Sequence, residues 1–207
     1  MLNQLMKHKI IAILRGINNE HADQTAQALI AGGISFMEIT MNTDGAAQMI
    51  ERWQNKFGKQ AHIGAGTVTN LKRAKEAVAA GAQFLISPNV DEAVIDYGRQ
   101  HGLSVWPGAM TPTEIVKAYE AGADAVKLFP MASLGLGYMK EIKAPLDHIP
   151  IIATGGVDLH NIAEYFGAGA VAVGMGSKLV NMEWVREGKY ELIIEKAKQF
   201  KQAVSKL

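Results

Sequence analysis

The sequence predicts a single-domain (β/α)8 barrel, and three observations lead there. Short apolar runs alternate with longer amphipathic segments along all 207 residues, the pattern of βα units feeding a parallel sheet. Ala/Gly marks recur where the amphipathic segments stop: Ala31-Gly32-Gly33, Ala80-Gly81-Ala82, Ala121-Gly122-Ala123 and Phe166-Gly167-Ala168. Glycine there ends a helix with a left-handed turn before the next strand. The marks form an internal repeat, as a cyclic α/β fold requires. Finally, polar residues gather at the ends of the apolar runs, where a barrel of this kind keeps its reactive groups.

In chain order, a short N-terminal segment precedes strand one, Ile10–Leu14, which ends at Arg15. Strand two, Phe36–Met41, alternates so that Phe36, Glu38 and Thr40 share one face while Met37, Ile39 and Met41 share the other. Strand three, His62–Gly66, ends at Thr67, and strand four, Phe84–Ser87, ends at Pro88. Strand five is Leu103–Trp106 and strand six is Ala125–Phe129, whose period turns Lys127 away from Val126 and Leu128 and into the barrel. Strands seven and eight, Ile151–Thr154 and Val171–Gly174, run into Gly155-Gly156 and Gly174-Met175-Gly176-Ser177. The tail from Tyr190 carries Ile193, Ile194, Ala197, Phe200 and Val204 at helical spacing among lysines. It reads as a helix that closes the barrel rather than one that binds a membrane. With 207 residues against the roughly 250 typical of the fold, the loops are expected to be lean. An open doubly wound sheet is the alternative, but it would place a Gly-rich fingerprint where the chain has Leu14-Arg15-Gly16-Ile17.

Bulk properties narrow the function. Hydrophobic residues make up 48% of the chain, enough for one domain with a sizeable core. A net charge of +1 gives no broad electrostatic footprint for nucleic acid or an anionic membrane, and leaves small anions open. The absence of Cys excludes disulfides, thiolate metal sites and cysteine nucleophiles, and suits a cytoplasmic address. No apolar string is long enough to span a bilayer, and the N-terminal run lacks a cleavage pattern, so the chain is read as soluble and complete. The six histidines show no paired ligand spacing and none ends a predicted strand, so no metal is expected.

Lys127 alone admits two readings. It could form a buried ion pair with Glu38, or it could be a Schiff-base nucleophile whose amine is kept neutral by burial and assisted by that carboxylate. The glycine-rich loops after strands seven and eight favour the second, because such loops hold a phosphate through backbone N–H groups and a hydroxyl. A phosphate grip would then face a lysine and a glutamate.

Taken together, Ile13-Leu14-Arg15-Gly16, Glu38-Ile39-Thr40, Ile63 to Val68, Ser87-Pro88, Trp106-Pro107-Gly108, Val126 to Pro130, Thr154-Gly155-Gly156 and Gly174 to Ser177 resemble, in order, the 2-keto-3-deoxy-6-phosphogluconate and 4-hydroxy-2-oxoglutarate aldolases, including their 6-phosphogalactonate branch. The resemblance implies a homotrimer that needs no cofactor and takes a keto-acid phosphate as its small-molecule substrate. Lys127 would form the imine and Glu38 would move the protons. Thr67, Pro88 and Thr154 would line the pyruvate half, with Phe129 against the imine, and Gly155, Gly156, Gly174 and Ser177 would hold the phosphate. Thr40 and Asn42 also fall in the substrate-binding stretch. Many phosphogluconate-type members carry Arg where this chain has Asn42, so Arg15 is expected to take the keto-acid carboxylate. A phosphosugar isomerase or synthase on the same barrel, and a phosphometabolite-binding protein without turnover, are the competing readings.

Overall fold

A computed structural model describes all 207 residues. Helices α1 (Leu2–His8), α2 (Asn19–Ala31), α3 (Ala46–Phe57), α4 (Leu71–Ala79) and α5 (Glu92–Gln100) alternate with strands β1 (Ile10–Leu14), β2 (Phe36–Thr40), β3 (His62–Gly66) and β4 (Phe84–Ile86). Strands β5 (Ser104–Trp106) and β6 (Gly108–Ala109) follow, then α6 (Pro112–Glu120), β7 (Val126–Leu128), α7 (Met131–Lys143), β8 (Ile151–Thr154), α8 (Ile162–Gly167) and β9 (Ala170–Met175). Two helices finish the chain, α9 (Met182–Arg186) and α10 (Tyr190–Val204). No helix is long and apolar enough to cross a membrane.

All strand pairs are parallel, in the order β5-β4-β3-β2-β1-β9-β8-β7-β6. The two ends of that order are pieces of one extended segment separated only by Pro107. The sheet therefore closes into the expected barrel of eight positions, with the fifth position split. Proline has no N–H to give the ladder, which is why the strand breaks there. The Pro107 carbonyl still accepts the Lys127 amide at 2.9 Å, and β6 continues onto β7. The fifth strand thus runs past Trp106, where sequence alone would end it. Other limits move by one or two residues. At Met41 the ladder outlasts the strand, since its amide bonds the Gly66 carbonyl at 2.7 Å.

Alternation divides the strand side chains into two layers. Met37, Ile39, Ile63, Ala65, Val126 and Leu128 face outward under the helices. Ile11, Phe36, Phe84, Trp106, Ile152 and Ala172 fill the barrel, and Leu5 from α1 plugs its lower end. Helix α10 packs on α2, joining the last helix to the one that follows β1, as expected of a closing tail. Their approach is so tight that a Cβ on Gly32 would lie 2.3 Å from the Ala197 Cβ. The helix-ending marks behave as expected at Gly33, Gly81 and Gly122, which have positive φ. In the fourth mark the left-handed residue is Gly169, because α8 still includes Gly167.

Strand β3 shows how the interior is fitted. Its inward residues, Gly64 and Gly66, have no side chain, and larger neighbours fill the space. A Cβ on Gly64 would meet the Phe84 ring at 2.3 to 2.5 Å. Phe84 stacks on Trp106 with centroids 4.8 Å apart and cannot retreat freely. Gly64→Ala should therefore cost about 1–3 kcal/mol as overpacking, read as a lower denaturant midpoint at unchanged slope. An unchanged midpoint would contradict this packing account.

Candidate active site

The strand ends at the upper mouth surround a cavity of about 390 Å³, within the range of small-molecule sites. Arg15, Lys127, Phe129, Thr154, Gly155, Gly156, Gly174 and Ser177 line it, so the structure brings together most of the residues singled out from sequence. Ile13, Gly176 and Lys178 complete much of the remaining wall.

Lys127 comes from the middle of β7 and is 5% exposed, while Glu38 comes from β2 and is 1% exposed. They do not form the ion pair that was one reading of Lys127, since no ammonium–carboxylate contact within 4.0 Å joins them. Glu38 Oε2 has no hydrogen-bond partner in the protein. Burial raises the Glu38 pKa above its ordinary value, against opposing pulls from Lys127 and Arg15. Burial likewise lowers that of Lys127, with Arg15 adding to the effect and Glu38 opposing it. In both cases loss of hydration is the larger cause, so the neutral amine and the neutral acid are both favoured. The Lys127 Nζ lies 5.1 Å from the centre of the Phe129 ring, which covers one side of it.

Room for the Glu38 carboxyl comes again from β3, since a Cβ on Gly66 would stand 2.6 Å from its Oε1. Glu38 itself is not among the residues that line the cavity. Thr40 is fully buried, with its Oγ1 2.9 Å from Thr43 Oγ1, and Thr43 Oγ1 accepts the Gly16 amide at 2.9 Å. Thr40 is thus tied to the turn that carries Arg15, and it lies outside the cavity wall. Thr43 was not among the residues singled out from sequence, where a threonine after a strand looks like any turn residue. Asn42 is exposed in the same turn and also lies outside the wall.

Thr67 adopts φ 56°, rare for a β-branched residue, and its carbonyl accepts Arg73 Nη1 at 3.1 Å. Such backbone strain concentrates at functional positions. Pro88 is exposed at the rim, and its backbone packs so closely on Gly108 that a Cβ there would lie 2.5 Å away. Neither Thr67 nor Pro88 is part of the cavity wall.

The far side of the cavity is backbone. Gly155 and Gly156 both take positive φ, and a Cβ on Gly156 would approach the Ala132 Cα to 2.9 Å. A Cβ on Gly174 would strike Thr154 Oγ1 at 2.6 Å, so glycine keeps that hydroxyl in place. After β9 the chain makes a turn in which the Leu179 and Val180 amides bond the Gly176 carbonyl at 2.9 and 2.8 Å. Ser177 and Lys178 are exposed on this turn.

A buried amine and a buried acid without a mutual contact cost folding energy. Because the Lys127 pKa is depressed from 10.5 in the fold, the penalty is full below its folded value and fades as pH rises toward 10.5. Lys127→Met should therefore be the more stable protein at pH 7, by about 1–2 kcal/mol, with a gain that shrinks at alkaline pH. Urea unfolding at both pH values measures this, and a less stable variant at pH 7 would overturn it.

Comparison with known proteins places this arrangement. The profile of the KDPG and KHG aldolases matches residues 1–196. The 2-dehydro-3-deoxy-6-phosphogalactonate aldolase of Escherichia coli K12 is 38% identical over 84% of this chain and 85% of its own. The 2-dehydro-3-deoxy-phosphogluconate aldolase of Pseudoalteromonas atlantica is also 38% identical, over 87% and 84%. Among solved structures, the KDPG aldolase of Legionella pneumophila, crystallised with pyruvate captured as a covalent carbinolamine, superposes with a TM-score of 0.89. It is 29% identical over 96% of this chain and 97% of that one.

Proposed function

Because the chain belongs to the KDPG and KHG aldolase family, we propose that it cleaves a 2-keto-3-deoxy-6-phospho sugar acid, of the gluconate or galactonate series, to pyruvate and glyceraldehyde 3-phosphate. One observation carries the mechanism: Lys127 and Glu38 are both desolvated at the same end of the barrel and are not consumed by pairing with each other.

A neutral Lys127 amine adds to the C2 carbonyl of the substrate, giving a carbinolamine that loses water to become an imine. Once protonated, that imine is an electron sink. Glu38, directly or through one water, takes the proton of the C4 hydroxyl. The C3–C4 bond breaks, its electron pair passes into the imine to form the enamine of pyruvate, and C4 departs as the aldehyde carbon of glyceraldehyde 3-phosphate. Glu38 returns the proton to C3, and water hydrolyses the imine to release pyruvate and the free amine. Phe129 packs against the imine and Thr154 bounds the pyruvate half, with Thr67 and Pro88 beyond the cavity wall at the neighbouring strand ends. Arg15 takes the keto-acid carboxylate: it lines the cavity close enough to act on both Lys127 and Glu38, whereas Asn42 does not reach the wall. The amides of Gly155, Gly156 and Gly174 and the Ser177 hydroxyl face the phosphate. The same keto-acid half admits 4-hydroxy-2-oxoglutarate, cleaved to pyruvate and glyoxylate. The family reading also supports a cytoplasmic homotrimer of the 22.3 kDa chain, and a monomer or dimer in sedimentation equilibrium would overturn that part.

Borohydride reduction in the presence of pyruvate should add one reduced pyruvyl group at Lys127. An unlabelled wild type, or labelling that survives in Lys127→Met, would defeat the mechanism. Glu38→Gln should still trap pyruvate while lowering kcat by about a hundred- to ten-thousand-fold.

The pH profile tests the pair. Glu38 must be ionised to accept a proton, and its folded pKa is raised, so kcat/KM should fall with acidification on a limb above the ordinary 4.5. In Glu38→Gln that group is gone and Lys127 loses the carboxylate that raises its pKa, so the residual limb should move to lower pH. A limb unmoved by Glu38→Gln would remove Glu38 from the proton transfer.

A further inference from the structure

We propose that Lys178 makes the cavity selective for phosphorylated substrates, by pairing its ammonium with the phosphate dianion over the glycine turns. This deepens the aldolase reading and relies on it only for the identity of the substrate. The residues discussed above as phosphate contacts are backbone amides and the Ser177 hydroxyl, which are neutral donors. A dianion also needs countercharge.

The cavity wall supplies it unevenly. Arg15, Lys127 and Lys178 line it and no acidic side chain does, although the chain as a whole carries a net charge of only +1. The three cations divide between its two ends. Arg15 follows β1, whose Ile13 is in register with Glu38, and its charge acts on both Lys127 and Glu38, which places it at the reacting end. Lys178 instead stands on the turn after β9, next to Ser177 and two residues past Gly176. A keto-acid phosphate is itself a two-ended anion, with a carboxylate beside the carbonyl and a phosphate at the far carbon. Arg15 at one end and Lys178 at the other match that polarity.

Lys178 is also free to serve. Lys56, Lys117 and Lys189 are engaged by Asp23, Glu92 and Glu187, but no carboxylate lies within 4.0 Å of Lys178. Its exposed side chain has the rotational freedom to fold over a phosphate seated on the turns. An ordinary solvated surface lysine would share this freedom, yet its removal would leave every substrate unaffected.

The test compares 2-keto-3-deoxy-6-phosphogluconate with 2-keto-3-deoxygluconate, the same acid without phosphate, in wild type, Lys178→Met and Lys178→Arg. Lys178→Met should raise KM for the phosphorylated acid about ten- to a hundredfold, the size of one lost charge-assisted contact, with kcat nearly unchanged. Kinetics on the unphosphorylated acid should not change, and Lys178→Arg should recover most of the loss. Calorimetric titration with glycerol 3-phosphate supplies a readout independent of turnover, and its affinity should fall in parallel. Equal losses on both acids, no loss on either, or glycerol 3-phosphate affinity that is absent in wild type or insensitive to Lys178→Met would overturn the proposal. If wild type traps no imine while glycerol 3-phosphate binding still depends on Lys178, the aldolase reading fails and the assignment of Lys178 stands.

Discussion

The constraint on which the rest of the structure depends is the cost of holding Lys127 and Glu38 out of water at the upper end of a closed barrel. Each loses its hydration, and neither recovers it in a direct ion pair. A pairing would make the site cheaper to fold and chemically quieter, because a paired ammonium is a poor nucleophile. Kept apart, the two groups are pushed toward their neutral forms, the amine downward and the acid upward, which brings both closer to proton exchange near neutral pH. Arg15 adjusts the balance, since its charge opposes protonation of the lysine and favours ionisation of the glutamate.

Much of the remaining architecture can be understood as making room for that arrangement and stabilising it. Gly66 leaves the volume that the Glu38 carboxyl occupies, while Gly64 admits the Phe84 ring that floors it together with Trp106 and Phe36. Thr40 and Thr43 fix the turn from which Arg15 projects. Leu5 closes the barrel from below, so the dry region is sealed at the end opposite the mouth. The apolar layers below offset the penalty of the two polar residues above them.

What could be read in the sequence follows from which signals are periodic. A strand advances two residues per repeat, so Lys127 between Val126 and Leu128, and Glu38 between Met37 and Ile39, declare their direction without coordinates. The glycine strings at the strand ends were legible for a similar reason, since a residue without a side chain is conspicuous next to an apolar run. Contacts that arise only when distant segments meet were not. Thr43 reveals its part only once Gly16 is brought against it, and the failure of Asn42 to reach the wall depends on how its turn is tethered. Trp106-Pro107-Gly108 read as the end of a strand, because a proline ordinarily ends one. Only the closed ring shows the chain resuming beyond it.

The position of the site around the ring has a further consequence. Arg15, Glu38, Lys127, Thr154 and the turn after β9 all project from one arc, β2-β1-β9-β8-β7, while the arc from β3 to β6 contributes mainly packing. Within that active arc the first two strands of the chain lie directly against the last three. The groups to which we assign the chemistry therefore come from opposite ends of the sequence and meet across its largest separations, the kind of contact that folding establishes slowly and late. During synthesis, most of the polypeptide must emerge before Arg15 and Glu38 have anything to face, so early intermediates carry the packing arc without a competent site. By the assignment proposed for Arg15, Glu38 and Lys127, catalytic competence is a signature of completed ring closure, and a fragment from either half carries an incomplete set of those groups.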